Sequence, residues 1–341
     1  MKKLFLIFTV FTALTASTFA AKKSAKNDKL KVVTTIFPQY DWTREIMGDK
    51  ASSAQLNLLV GNGVDLHSYQ PSIQDIAKIS TADIFIYVGG ESDSWVKNAL
   101  KNAANKNMKV INLMEVLGDK VKAEEIKEGM QAEEEEDHDD HDAEVHDHEA
   151  EGHHHHHYDD EEVEYDEHVW LSLRNAKILS AEIAEALSEK DPANAASYKA
   201  NFASYSAKLD ALDKEYTSVV ASASKKTILF GDRFPFRYLT DDYGLDYYAA
   251  FAGCSAETEA SFETVVFLSK KVDELGLNSV LKIESGDGKI ARTIVQNTKN
   301  KNASVLTLDS IQSTTLKQAA AGTTYLKIME NNLKVLKEAL K

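Results

Sequence analysis

Residues 131–164 cannot belong to any hydrophobic core. They hold 17 Asp and Glu, no Lys or Arg, and nine of the eleven histidines in the chain. With almost no apolar side chains, the segment cannot bury enough surface to offset the entropy of ordering it, and it reads as a disordered insertion. Its 17 carboxylates exceed the net charge of the whole chain, −15, so the rest is close to electrically balanced. The pentad His153 to His157 resembles an expression tag. However, His138, His141, His146 and His148 extend the same theme upstream among alternating acids, which a terminal tag lacks. Imidazole and carboxylate together suit Zn²⁺ and similar divalent ions. On a flexible loop such sites are weak and several ions can bind.

The remaining sequence can form a core. The chain has 341 residues, 43% apolar, enough for roughly two domains. Residues 1–20 read as a cleavable export signal: Lys2 and Lys3, an apolar run from Leu4 to about Leu14, then small residues ending Thr18-Phe19-Ala20. The run is too short to span a bilayer, and no cysteine follows it to carry lipid. The expectation is a soluble exported protein, periplasmic where an outer membrane exists, with no membrane anchor. Acidity argues against nucleic acid as a partner. The single cysteine, Cys254, excludes an internal disulfide framework and a cysteine-only zinc site.

Strand and helix patterns alternate. Lys31 to Ile36, Ile84 to Val88 and Lys109 to Leu113 read as buried strands before the insertion. Ser72 with Asp75 forms a capping box, and Ser172 caps a helix whose apolar side is Ala176, Leu179, Ile183 and Leu187. A long helix starts near Pro192. Its stripe of Tyr198, Phe202, Tyr205, Leu209, Leu212 and Tyr216 is read as packing rather than as an aromatic ligand site. Thr227 to Phe230, Leu245 to Phe251, Asn278 to Ile283 and Val305 to Leu308 are strands. Phe262 to Leu275 and Tyr325 to Leu340 are helices. The reading is an α/β protein of two lobes, each with a mostly parallel sheet flanked by helices. The N-terminal lobe covers 30–190, a linker helix 191–222 and the C-terminal lobe 223–341. A cleft between lobes is a natural ligand site.

Only two histidines lie outside the insertion. His67 follows the turn-rich stretch Gly61 to Leu66, and His168 sits in Tyr165-Asp166-Glu167-His168-Val169-Trp170-Leu171, where the insertion rejoins the fold. Both follow strand-to-helix connections, where α/β folds place ligands. The stretch from His67 through Ala82-Asp83-Ile84-Phe85-Ile86-Tyr87-Val88-Gly89 to Trp95 resembles the zinc- and manganese-binding proteins of bacterial ABC transporters. So do the run Asp166 to Leu171, Asp191-Pro192 with its helix, Tyr243-Gly244-Leu245 and the helix from Tyr325 to Leu336. The resemblance covers residues 30–341. An acidic, His-rich insertion is typical of the zinc members.

The resemblance implies two lobes joined by a rigid helix, with the metal between them, captured without chemistry and handed to an ABC permease and its ATPase. It implies a monomer and no enzymatic activity. His67, His168 and Asp309 match three of the family's metal ligands. The other expected ligand, His or Glu ten residues before the Tyr-Gly-Leu motif, falls on Arg233, which stays protonated and cannot ligate. Asp232 is the nearest candidate, with Glu284 and Cys254 as further options. Imidazoles with carboxylates hold Zn²⁺ and can also hold Mn²⁺; affinity order and the His-rich insertion favour zinc. Alternatives are a manganese- or iron-binding homologue, a His-rich metal buffer, an adhesin, and a zinc hydrolase, for which no His-Glu-x-x-His helix is present.

Overall fold

The computed structural model describes residues 29–131, 163–255 and 259–341. The expected export signal and nearly all of the His-rich insertion therefore lie outside the described residues.

The first half is built on four strands: β1 (Lys31–Thr34), β2 (Gln55–Leu58), β3 (Ile84–Tyr87) and β4 (Lys109–Asn112). They pair in the order β2-β1-β3-β4, all parallel. Helices α1 (Phe37–Met47), α2 (Ile73–Ser80), α3 (Val96–Lys101), α4 (Leu113–Leu117) and α5 (Leu173–Lys190) connect and flank them. Ser72 and Asp75 form the expected capping box of α2, and Ser172 accepts from the Asn175 amide to start α5. Strand β2 and helix α1 escape the apolar-run reading because polar side chains serve them. In α1, Gln39, Asp41 and Thr43 are fully buried, and Gln39 Oε1 accepts from the Thr35 amide at 2.9 Å.

Helix α6 (Ala195–Ser222) follows a 3-10 turn at Pro192–Asn194. The expected stripe is indeed packing: Tyr198, Tyr205, Leu209, Leu212 and Tyr216 are buried, and the Tyr216 hydroxyl donates to the Met329 carbonyl at 2.6 Å. The second half repeats the plan with β5 (Thr227–Arg233), α7 (Arg237–Tyr243), β6 (Asp246–Phe251), α8 (Phe262–Leu275), β7 (Ser279–Lys282), α9 (Lys289–Asn297), β8 (Ser304–Thr307), α10 (Leu316–Ala320) and α11 (Tyr325–Ala339). Its sheet order is β6-β5-β7-β8, again parallel throughout. Strand β5 runs three residues beyond its apolar stretch, through Gly231 and Asp232 to Arg233, with an irregularity in its pairing after Phe230.

One contiguous apolar cluster joins the halves. It includes Val32 and Trp42 from the first sheet layer, the α6 stripe, Phe230 and Leu281 from the second sheet, and Tyr325 and Met329 from α11. Chain segments also cross over. The Tyr325 amide donates to Asp41 Oδ2 at 2.7 Å, and Gln131 pairs with the edge of β6 at Phe251. The strand C-termini of both sheets therefore line one cleft, held from behind by shared packing.

Candidate metal centre

Parallel strands leave their C-terminal ends free for loops, and here those loops converge. After β2 the chain makes a 3-10 turn at Leu66–Ser68. Asp65 Oδ1 accepts from the His67 amide at 3.1 Å, which fixes the turn. His168 precedes the 3-10 turn Val169–Leu171 that leads into α5, and it is fully buried. Gly89 and Gly90 follow β3 with positive φ, and a Cβ on Gly90 would sit 2.3 Å from Glu167 Oε1, so only glycine fits there.

The two histidines outside the insertion meet. Their Nε2 atoms are 3.1 Å apart and their ring centroids 5.1 Å. His168 Nδ1 lies 3.0 Å from Asp166 Oδ1, which also accepts the His168 amide at 2.8 Å. That carboxylate makes Nδ1 the donor and leaves Nε2 with a lone pair, the usual arrangement behind a metal-ligating imidazole. His67 Nδ1 contacts Ser92 Oγ at 2.8 Å and lies 3.6 Å from Glu167 Oε2. Two bare lone pairs at 3.1 Å repel, so a shared proton or a cation belongs between them. Tetrahedral zinc with Zn–N of about 2.05 Å holds two nitrogens about 3.3 Å apart, so the spacing suits a common ion.

The electrostatics favour neutral imidazole at His67. Burial pushes its pKa down to about 3, with His168 and the Arg233 guanidinium adding to the depression and Asp65 opposing it. Proton competition at that ring is therefore weak near neutral pH. Burial raises the Glu167 carboxyl, whose Oε1 accepts the Ser92 amide at 2.8 Å. Its Oε2 is buried without a hydrogen-bond partner.

Cys254 lies beside the pair. Among the described residues, His67, His168 and Cys254 form the one set of three potential donors whose ligand atoms all fall within 4.8 Å of one another. Cys254 is partly buried, and its amide donates to Glu124 Oε1 at 3.0 Å. Burial pushes its thiol pKa far up, with Glu124, Asp166 and Glu167 adding.

The two expected carboxylates stand outside this set of three, and only Asp232 lines the cavity. Asp232 Oδ1 accepts the Arg233 amide at 2.9 Å and its Oδ2 the Ile283 amide at 3.2 Å, which ties β5 to the end of β7. It lines the same cavity of about 670 Å³ as Asp65, His67 and Cys254. Asp309 follows β8, one layer behind His168: the Trp170 ring, 5.2 Å from that of His168, donates from Nε1 to the Ser310 carbonyl at 2.9 Å. Asp309 Oδ1 accepts the Ile311 amide at 2.8 Å. Burial and the neighbouring Glu284 push its pKa up to about 7. Ile311, fully buried, has φ of 65°, a strained setting for a β-branched residue. Glu284 is occupied by Ser310 and Ser313, accepting from both backbone amides and both hydroxyls.

Arg233 reaches across the cleft. Its Nη2 pairs with Asp65 Oδ2 at 2.5 Å and its Nη1 donates to the Ser255 carbonyl at 3.3 Å. Burial would raise the Asp65 pKa, but Arg233 and His67 outweigh it and hold the carboxyl below its ordinary value. This pairing was not legible in the sequence, because its partners lie 168 residues apart.

The family described as the periplasmic component A of the zinc-uptake complex matches residues 32–339. The zinc-binding lipoprotein AdcA of Streptococcus pneumoniae serotype 4 is 34% identical over 340 residues, 99% of this chain and 61% of that protein. This chain thus spans less than two thirds of the AdcA relatives. The high-affinity zinc uptake system protein ZnuA of Bacillus subtilis is 31% identical over 93% of this chain and 89% of its own length. Among solved structures, the Zn(II)-bound ZnuA-like domain of S. pneumoniae AdcA superposes with a TM-score of 0.66 at 28% identity, covering 92% of this chain and 99% of that one. The metal-dependent lipoprotein YcdH of B. subtilis gives 0.69 at 26% identity, covering 92% and 100%.

Proposed function

The chain belongs to the family of periplasmic zinc-uptake component A proteins, and from that membership we propose that it is the substrate-binding component of a zinc importer. It is exported by residues 1–20 and works free of the membrane as a monomer. It takes one Zn²⁺ between the lobes 30–190 and 223–341, which 191–222 joins, and passes it unchanged to an ABC permease and its ATPase. It performs no catalysis. His67 and His168 are the imidazole donors. Asp309 is the carboxylate that joins as the ion loads, in a loop whose backbone is strained at Ile311. Asp232, in the cavity wall shared with His67, supplies further negative charge.

The observation that carries this reading is the pair of facing Nε2 atoms at 3.1 Å, with the buried Asp166 carboxylate behind one of them. These are the only two histidines outside the insertion, and nothing in a purely structural role requires them to meet.

The test is a chelator-competition titration of Zn²⁺ and Mn²⁺ into protein lacking residues 132–162, repeated with His67→Ala and His168→Ala. One tight zinc equivalent, lost in either variant and far weaker for Mn²⁺, is the expected result. A second reading, a metal buffer whose His-rich segment does the binding, draws on Arg233 standing where the resemblance places a ligand. It is favoured if no tight site survives removal of 132–162.

A further inference from the structure

Arg233 takes one donor out of the expected set, and the loop after β6 offers a different one. We infer that the Cys254 thiolate takes the place of that missing donor beside His67, His168 and Asp309, which makes the cleft a site with one sulfur ligand for thiophilic divalent ions, Zn²⁺ and Cd²⁺ ahead of Mn²⁺. The inference rests on the reading that His67 and His168 hold the cargo.

Three independent chain segments bring these donors together: the turn after β2, the segment entering α5 and the loop after β6. Tetrahedral zinc with Zn–N of about 2.05 Å and Zn–S of about 2.3 Å needs N···S separations of about 3.6 Å. The present upper bound is 4.8 Å, so the loop has to close by at most about 1.2 Å. The loop is well placed for that. Gly253 lies flush against His168: a Cβ there would stand 3.2 Å from the ring Cε1 and 2.9 Å from the Phe234 carbonyl oxygen. The next residue thereby starts from backbone held against the imidazole.

The other rim groups are engaged. Both Asp232 oxygens accept backbone amides. The Arg233 guanidinium is turned onto Asp65 and the Ser255 carbonyl, so its charge is matched and the residue following Cys254 is tethered. Glu167 Oε2, buried 3.6 Å from His67 Nδ1, stands behind that ring much as Asp166 stands behind His168.

The bland alternative is that Cys254 is a small buried hydrophobe. It does not account for the convergence with two imidazoles. On loading, the S–H bond breaks, the sulfur lone pair bonds to the metal and the proton leaves to solvent, with no change of oxidation state. Thiolate prefers Zn²⁺ and softer ions, whereas Mn²⁺ prefers carboxylate and carbonyl oxygen.

The experiment uses the full chain loaded with Co²⁺ as a spectroscopic stand-in for zinc. The chain has a single cysteine, so any sulfur-to-cobalt charge-transfer band in the near ultraviolet reports Cys254 alone, whatever the His-rich segment binds. The expected result is that band at one equivalent, displaced by Zn²⁺, absent in Cys254→Ser and absent in His67→Ala. Zinc affinity in Cys254→Ser should fall at least as far as the about 10- to 100-fold that loss of an outer-shell partner costs. Visible cobalt bands that depend on His67 with no charge-transfer band in the unmodified chain would overturn the thiolate assignment and leave the zinc-cleft reading standing. Tight binding insensitive to His67→Ala would overturn both. The decisive spectrum is read on the unmodified protein, so the result does not hang on how the variant folds.

Discussion

Asp166 offers the sharpest probe of how the site is set up. Its Oδ1 takes both the His168 amide and His168 Nδ1, and both side chains are buried, at 2% and 0% exposure. The carboxylate holds the ring in the tautomer that exposes Nε2. Asp166→Asn keeps an oxygen for the backbone amide but removes the charge. Asp166→Ala removes both contacts and leaves two buried donors unsatisfied. Outer-shell partners of ligating histidines are worth about 10- to 100-fold in affinity, or about 1.4 to 2.7 kcal/mol. The Asn variant should fall at the lower end of that range and the Ala variant at the upper end. Stability without metal should fall by about 1–3 kcal/mol per orphaned donor in the Ala variant. Chelator-competition titration gives the affinities and urea unfolding of the apo protein gives the stability term. If both variants bind zinc within about threefold of the unmodified chain, below the range such partners command, then His168 is not positioned by Asp166 for metal and the ligand assignment fails.

Other expectations follow from particular contacts. Asp93 is buried beneath the turn after β3, with Oδ2 accepting the Val88 and Gly89 amides, and burial first, then Glu167, push its pKa up to about 7. A raised carboxyl favours the fold below the unfolded value near 3.8 and loses that contribution as pH rises through 7. Asp93→Asn should therefore raise Tm at pH 8 by the equivalent of up to about 4 kcal/mol, with the gain vanishing below pH 4; a flat difference across pH would refute it. Tyr216→Phe removes a second donor from the Met329 carbonyl, which lies inside α11, and should cost about 0.5–1.5 kcal/mol in denaturant unfolding, with zinc affinity unchanged. Gly253→Ala drives a methyl into the His168 ring and the Phe234 carbonyl, so metal affinity should drop while far-ultraviolet circular dichroism stays constant. Zinc at a hundredfold excess over its dissociation constant should stabilise the protein by about 2.7 kcal/mol in thermal unfolding, and Mn²⁺ at the same concentration by much less.

Much of the scaffold was legible because its strands are apolar and its helices periodic. Runs such as Ile84 to Tyr87 have no alternative to burial, and the Ser72 and Ser172 caps mark helix starts by chemistry that does not depend on context. Strand β2 and helix α1 were not legible. Gln55-Leu56-Asn57-Leu58 carries no apolar run, and the buried Asp41 of α1 accepts from a partner as distant as the Tyr325 amide. In the site, His67 and His168 stood out because every other histidine belongs to the insertion. Their mutual distance, the use of Asp232 as a backbone anchor and the pairing of Arg233 with Asp65 depend on tertiary placement that spacing does not encode.

The way the chain crosses between its halves bears on how an ion gets out. Before the second half begins, Lys127 reaches Asp246 and Gln131 lies along β6, while α11 returns to dock on Asp41 at the far end of the first half. The two sheets are thus stitched at several separate points and share one apolar interior. Such a frame resists swinging apart like a jaw, since every stitch would have to slip at once. On the proposed function, unloading would fall to the loops at the strand ends, and a docking permease would gain most by tugging on those loops and leaving the frame as it is.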